Sequence, residues 1–100
     1  MTKTQIKKLL KAIPDVENFQ SSNGNNVPNQ FKIYTEKGVF FKSYNTIIAF
    51  KSNSGDVLLD TEKWGYSVAT SKYRNQFLNE SIADTRKKIE TGEYQLVDLN

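Results

Sequence analysis

Asp56, Asp60 and Glu62 have the type and spacing to attempt chemistry, because carboxylates can act as general acid, general base or metal ligand. Asp56 and Asp60 share one face of a short strand by period two. Four residues of extended chain nevertheless set them roughly 13 Å apart, whereas carboxylate pairs that hydrolyse glycosidic bonds stand about 5–9.5 Å apart. The spacing also fails to match a calcium-binding EF-hand loop. The plain reading is of solvated acids at the ends of turns.

No other enzyme chemistry has better material. The chain has no histidine and no cysteine. That excludes a Ser–His–Asp triad, a histidine general base, a thiolate nucleophile, disulfides and the commonest zinc ligand sets. Gly24, Gly38, Gly55, Gly65 and Gly92 fall singly at turns and form neither G-x-G-x-x-G nor a P-loop. The expectation is a protein that is not an enzyme, with no catalytic residues, no metal and no cofactor.

Binding chemistry has more candidates. Lys63, Trp64, Tyr66, Lys72, Tyr73, Arg74 and Phe77 interleave cations with aromatic rings, the combination that single-stranded nucleic-acid platforms use. Tyr73 and Phe77 are also spaced i, i+4, as core residues of a helix are, and Trp64 reads most simply as a lid over a sheet. Lys3, Lys7 and Lys11 form a row at spacing four, and Arg86, Lys87 and Lys88 form a cluster. Each is ordinarily a solvated helix face. If the three basic groups converge in space, nucleic acid becomes the favoured partner.

The elements that must position these residues read as follows. Residues 1–13 contain an amphipathic helix, with Ile6, Leu9, Leu10 and Ile13 on one stripe and Pro14 ending it. Residues 20–29 are polar, uncharged and rich in turn formers, an exposed loop. Residues 30–60 form a strand meander with turns at Glu36–Gly38 and Asn53–Asp56. Residues 70–92 hold two helices, the first capped by Thr70 or Ser71. The second opens on the capping box of Ser81 and Asp84. Residues 93–99 end in a short strand. The fold class is a single α+β domain: a four- to five-stranded, mainly antiparallel sheet with an N-terminal helix and two C-terminal helices packed on it. Strand runs that are apolar on both faces are read as a meander with helices covering one side.

One hundred residues suit one ordinary domain. Charged residues make up 25% and aromatics 12%, a composition that folds and leans on its rings for buried area. The net charge of +3 is compatible with nucleic acid and equally with proteins that never touch it. No apolar segment approaches the ~20 residues needed to cross a bilayer. A cytoplasmic protein with no membrane partner is expected.

A resemblance adds a setting. Phe41-x-Ser43-Tyr44, Ile48-Ala49, Leu59-Asp60, Trp64-x-Tyr66-Ser67, Thr70-x-Lys72-Tyr73-Arg74, Phe77-Leu78 and Lys88-Ile89-x-x-Gly92-x-Tyr94 together resemble a small uncharacterised domain family. Its members occur in phages, prophages and plasmids of low-GC Gram-positive bacteria. The likeness spans about residues 31–100; Val68 and Ala69 stand where more polar residues are expected. It implies an accessory protein of a mobile element acting in the host cytoplasm. The first expectation is a non-catalytic protein that binds a host protein, such as a defence nuclease, as anti-CRISPR and other anti-defence inhibitors do. Trp64, Tyr66, Lys72, Tyr73 and Arg74 would be its exposed anchors, the residue types enriched at binding hot spots. The alternative is a small DNA- or RNA-binding regulator using Lys3, Lys7, Lys11, Lys72, Arg74, Arg86, Lys87 and Lys88. An enzyme working through Asp56, Asp60 and Glu62 ranks third.

Overall fold

Phe40 and Phe41 are consecutive and both wholly buried, so the strand that carries them must be covered on both faces. The computed structural model describes residues 2–11, 15–65 and 67–100. Its elements are α1 (Lys3–Lys11), β1 (Asp15–Gln20), β2 (Asn26–Thr35), β3 (Gly38–Ser43), β4 (Thr46–Ser52), β5 (Val57–Asp60), α2 (Val68–Leu78), α3 (Ile82–Glu90) and β6 (Tyr94–Val97). The strands form one sheet in chain order. Neighbours are antiparallel except β5 and β6, which run parallel because α2 and α3 carry the chain back between them.

Two clusters fill the two faces. Phe41, Ile48, Ala49, Leu59 and Phe19 pack beneath α2 and α3, with Phe77 and Tyr73 from α2 and Ile89 from α3. Phe40, Phe50, Ile33 and Ile47 pack on the other face, closed by Ile6 of α1 and by Leu99. Ile48 and Ala49 are consecutive yet lie on the same face, which strict alternation forbids. A bulge resolves the conflict. Phe41 pairs with Ala49 and Lys42 with Ile47, so Ile48 is an extra residue that joins Ala49 on the α2 side. Ring pairs bind each layer: Phe40–Phe50 centroids lie 4.5 Å apart and Phe19–Phe41 centroids 5.1 Å.

Several expectations change. The sheet has six strands, and its helices cover both sides, α1 opposite α2 and α3. The predicted loop over 20–29 is mostly a hairpin: β1 ends at Gln20, a turn spans 21–25, and β2 begins at Asn26. The ladder between β1 and β2 breaks between Asn26 and Phe31. Pro28, which has no N–H to donate, lies within this break. Helix α2 starts at Val68, capped by Ser67, whose hydroxyl accepts from Thr70 N at 3.1 Å. Thr70, expected as a cap, is instead buried against Ser43, with hydroxyls 3.1 Å apart. The capping box of Ser81 and Asp84 stands as read. The helix stripe holds for Ile6, Leu9 and Leu10; Ile13 and Pro14 lie outside the described residues.

Gly38 opens β3 at φ +152°, and a Cβ there would sit 2.2 Å from the Lys51 carbonyl oxygen. Only glycine lets β3 and β4 approach this closely. Gly38→Ala should lower unfolding free energy by about 3 kcal/mol, read from urea denaturation. An unchanged midpoint would show that the β3–β4 register does not need this glycine.

Candidate functional site

The aromatic and basic block folds mostly inward. Trp64 follows β5 in a turn whose amides are gathered by Asp60, and its ring is half-buried against the α2-side cluster. Arg74, nearly two turns into α2, runs back beneath it with its guanidinium carbon 5.4 Å from the indole. Arg74 is completely buried. Its Nη1 donates to the Trp64 carbonyl at 2.7 Å and to Ser71 Oγ at 3.3 Å, and its Nη2 donates to Asn75 Oδ1 at 2.9 Å. Nε has no acceptor. Among the described residues no carboxylate comes within 4.0 Å of the guanidinium. Burial depresses its pKa, nearby Arg86 adds to the effect and Glu80 opposes it. It remains charged at neutral pH, as arginine does throughout proteins.

Arg74 is therefore no exposed anchor. Tyr73 is half-buried, meeting Phe19 edge-on at 5.5 Å, with the Lys72 ammonium 5.5 Å from its ring. Lys72 is exposed. Tyr66 lies outside the described residues.

The three basic groups do not converge. Lys3, Lys7 and Lys11 ride on α1, on one face of the sheet, and Lys72, Arg86, Lys87 and Lys88 ride on the helices of the other. Lys3 is held by Asp98 at 2.9 Å. Lys88 is held by Glu80 at 2.9 Å and by Glu93 at 3.7 Å. Lys7, Lys8, Lys11, Arg86 and Lys87 are exposed and, among the described residues, meet no carboxylate.

Of the three acids singled out in the sequence, Asp60 serves the fold. Asp60, read from sequence as a solvated turn residue, is buried at 3% exposure. Its Oδ1 accepts from Leu99 N at 2.9 Å and Asn100 Nδ2 at 3.0 Å; its Oδ2 accepts from Glu62 N at 3.2 Å and Lys63 N at 2.9 Å. Those four donors fill its acceptor capacity, so a neighbouring depression of about 500 Å³ lined by Thr46, Asp60, Glu62 and Asp98 lacks a carboxylate free for proton transfer at Asp60. Asp56 is exposed, and its carboxylate accepts a 3.3 Å bond from the Ser54 hydroxyl. Among the described residues no group of three or more acidic, histidine or cysteine side chains is placed to hold a metal ion.

Sequence reasoning missed Glu80. Its nearly buried carboxylate receives Thr85 Oγ1 at 2.7 Å, the Lys88 ammonium and the Tyr94 hydroxyl, tying the end of α2 to α3 and β6. Burial alone would raise its pKa, but these three hydrogen bonds together bring it below the usual carboxylate value. Glutamate in a polar turn carries no sequence signal of such a role.

Tyr94 shows the same network from the other side. Burial first, then donation to Glu80, pushes its hydroxyl up to about 12 from an ordinary value near 10. A raised pKa means the fold favours the protonated phenol. Its contribution is whole below about pH 10 and is lost as pH climbs through about 12. The urea midpoint of the wild type should therefore fall more steeply between pH 10 and 12 than that of Tyr94→Phe. Parallel curves would show that the phenol is not coupled to folding.

No helix among the described residues is long and apolar enough to cross a membrane. The model of a family of unknown function, DUF8033, matches residues 11–94, and the chain belongs to that family. The match covers β1 and the first hairpin as well as the strands and helices that follow. No curated protein and no solved structure matches the chain significantly.

Proposed function

We propose that this member of DUF8033 is a non-catalytic protein that works by occupying the surface of another protein. The observation that carries the reading is the division of its basic side chains by the sheet: α1 holds one set, and α2 with α3 holds the other. A nucleic-acid binder gains affinity by laying many cations along one phosphate track. Here no single track can use both sets, Arg74 is buried, and Lys3 and Lys88 are already paired. The likeness of the Trp64–Leu78 block to domains of phages, prophages and plasmids supports a mobile-element setting. In that setting the partner is a host protein, and a defence nuclease is the natural target of such an inhibitor.

A second reading keeps one specific observation in its favour. Lys7, Lys8 and Lys11 form an exposed basic face on α1 with no acid in that helix. This face alone can contact phosphates, as a weak, sequence-independent binder.

Affinity capture of the tagged chain from host lysate, with and without nuclease, separates the readings. The expected result is a protein partner that survives nuclease and 200 mM salt and re-forms a complex from purified components. Loss of every partner after nuclease treatment would overturn the proposal.

A further inference from the structure

β1 is an outer strand of the sheet. β2 pairs with it on one side, and among the described residues no strand pairs with it on the other. In an antiparallel ladder, alternate residues turn their N–H and C=O groups toward the neighbouring strand, so the remaining groups of β1 face outward and can pair with a further strand. Asp15 to Asn18 run in unbroken register against Tyr34 to Phe31, ahead of the irregularity between Asn18 and Gln20, and give this edge its regular part.

The side chains along it are sorted by face. Glu17 lies opposite Lys32, whose ammonium sits 5.0 Å from the Phe19 ring of the α2-side cluster, so Asp15 and Glu17 project on that side. Val16 lies opposite Ile33 of the α1-side cluster and projects the other way, 56% exposed. Asp15 and Glu17 are exposed, and among the described residues neither forms an ion pair. The cation facing Glu17 in the ladder goes to the Phe19 ring, and the Tyr34 hydroxyl meets the carboxylate instead, at 3.1 Å. The opposite edge of the sheet differs: the acids flanking β6, Glu93 and Asp98, are held by Lys88 and Lys3.

These charges select an occupant. A second copy laying its own β1 here would set acid against acid, which is destabilising, and nucleic acid would bring the same sign of charge. A strand with basic side chains at alternate positions and an apolar one between them complements Asp15, Glu17 and Val16 together. We infer that β1 is the docking edge of this protein: it takes up an extended segment of the protein partner as a further β-strand, with Lys or Arg facing Asp15 and Glu17 and an apolar residue over Val16. This rests on the reading that the chain works by occupying another protein's surface, and it names the part that docks and the chemistry of what docks there.

The full chain labelled with ¹⁵N is titrated with the end-blocked peptide Thr-Lys-Val-Lys-Val-Thr at low ionic strength. The amides of Asp15 to Asn18 should shift along one saturating curve while those of α3 stay still. A peptide with glutamate in place of both lysines should bind about tenfold more weakly, the loss of two cross-strand charge pairs. A peptide N-methylated at the central valine and at the lysine after it lacks a donor whichever of the two faces β1, and should lose saturable binding. Asp15→Lys with Glu17→Lys should reverse the preference to the glutamate peptide, and Asp15→Asn with Glu17→Gln should remove the preference altogether; unchanged urea midpoints show that both variants fold. Absence of saturating shifts in β1, equal binding of the N-methylated peptide, or a preference indifferent to both pairs of substitutions would overturn the inference. A protein captured from lysate that binds wild type and the double-lysine variant equally would also overturn this edge, while leaving the reading of a protein partner intact. Selective peptide binding at β1 with no protein captured would support the edge and remove that reading.

Discussion

Everything in this molecule depends on a β3–β4 pair buried from both sides. A sheet strand normally wets one face, and a strand with both faces dry needs a layer of apolar side chains above and below. Phe40 and Phe50 serve one layer and Phe41 and Ala49 the other, with the extra residue Ile48 adding a second β4 side chain to the α2-side layer. Each fully buried ring or branched chain contributes about 1.5–3 kcal/mol. The arrangement therefore forces α1 to one side and α2 with α3 to the other, because neither layer is closed without its helix.

That constraint shapes the surface chemistry. The cations of α1 cannot reach those of α2 and α3, and the molecule presents two separate basic faces in place of one. On the α2 side the cations are further sorted: Lys88 is drawn to Glu80 and Glu93, Arg74 is sealed beneath Trp64, and Lys72 stands in solvent. The carboxylates follow a similar logic. Asp60 gathers the turn after β5 and the last two residues of the chain, and Glu80 gathers α3 and β6, so both act as organisers of backbone and side-chain donors.

Features governed by neighbours in sequence were legible in advance. The stripe of Ile6, Leu9 and Leu10, the turns around Lys37 and Ser54 and the capping box at Ser81 depend on contacts a few residues apart, and their patterns say so. β1 was hidden because an edge strand buries little: of Asp15 to Gln20 only Phe19 is buried, so no alternation appears. The two-sided helix cover was written in the runs Val39–Phe41 and Ile47–Phe50, but it was misread as cover on one face. Arg74 and Asp60 misled for a physical reason. Their residue types are usually solvated, and only tertiary hydrogen bonds make their burial tolerable. A basic–aromatic block in sequence cannot distinguish rings that stack on a ligand from rings that pack on a guanidinium.

The central claim is that the sheet keeps the two basic faces from acting on one polyanion. The salt dependence of binding to a short DNA duplex tests it most directly. If α1 acts alone, Lys7, Lys8 and Lys11 neutralise about three phosphates, and log K against log salt should have a slope no steeper than about −3. A slope of about −6 or steeper would contradict the account, because it would require both faces to engage the same nucleic acid.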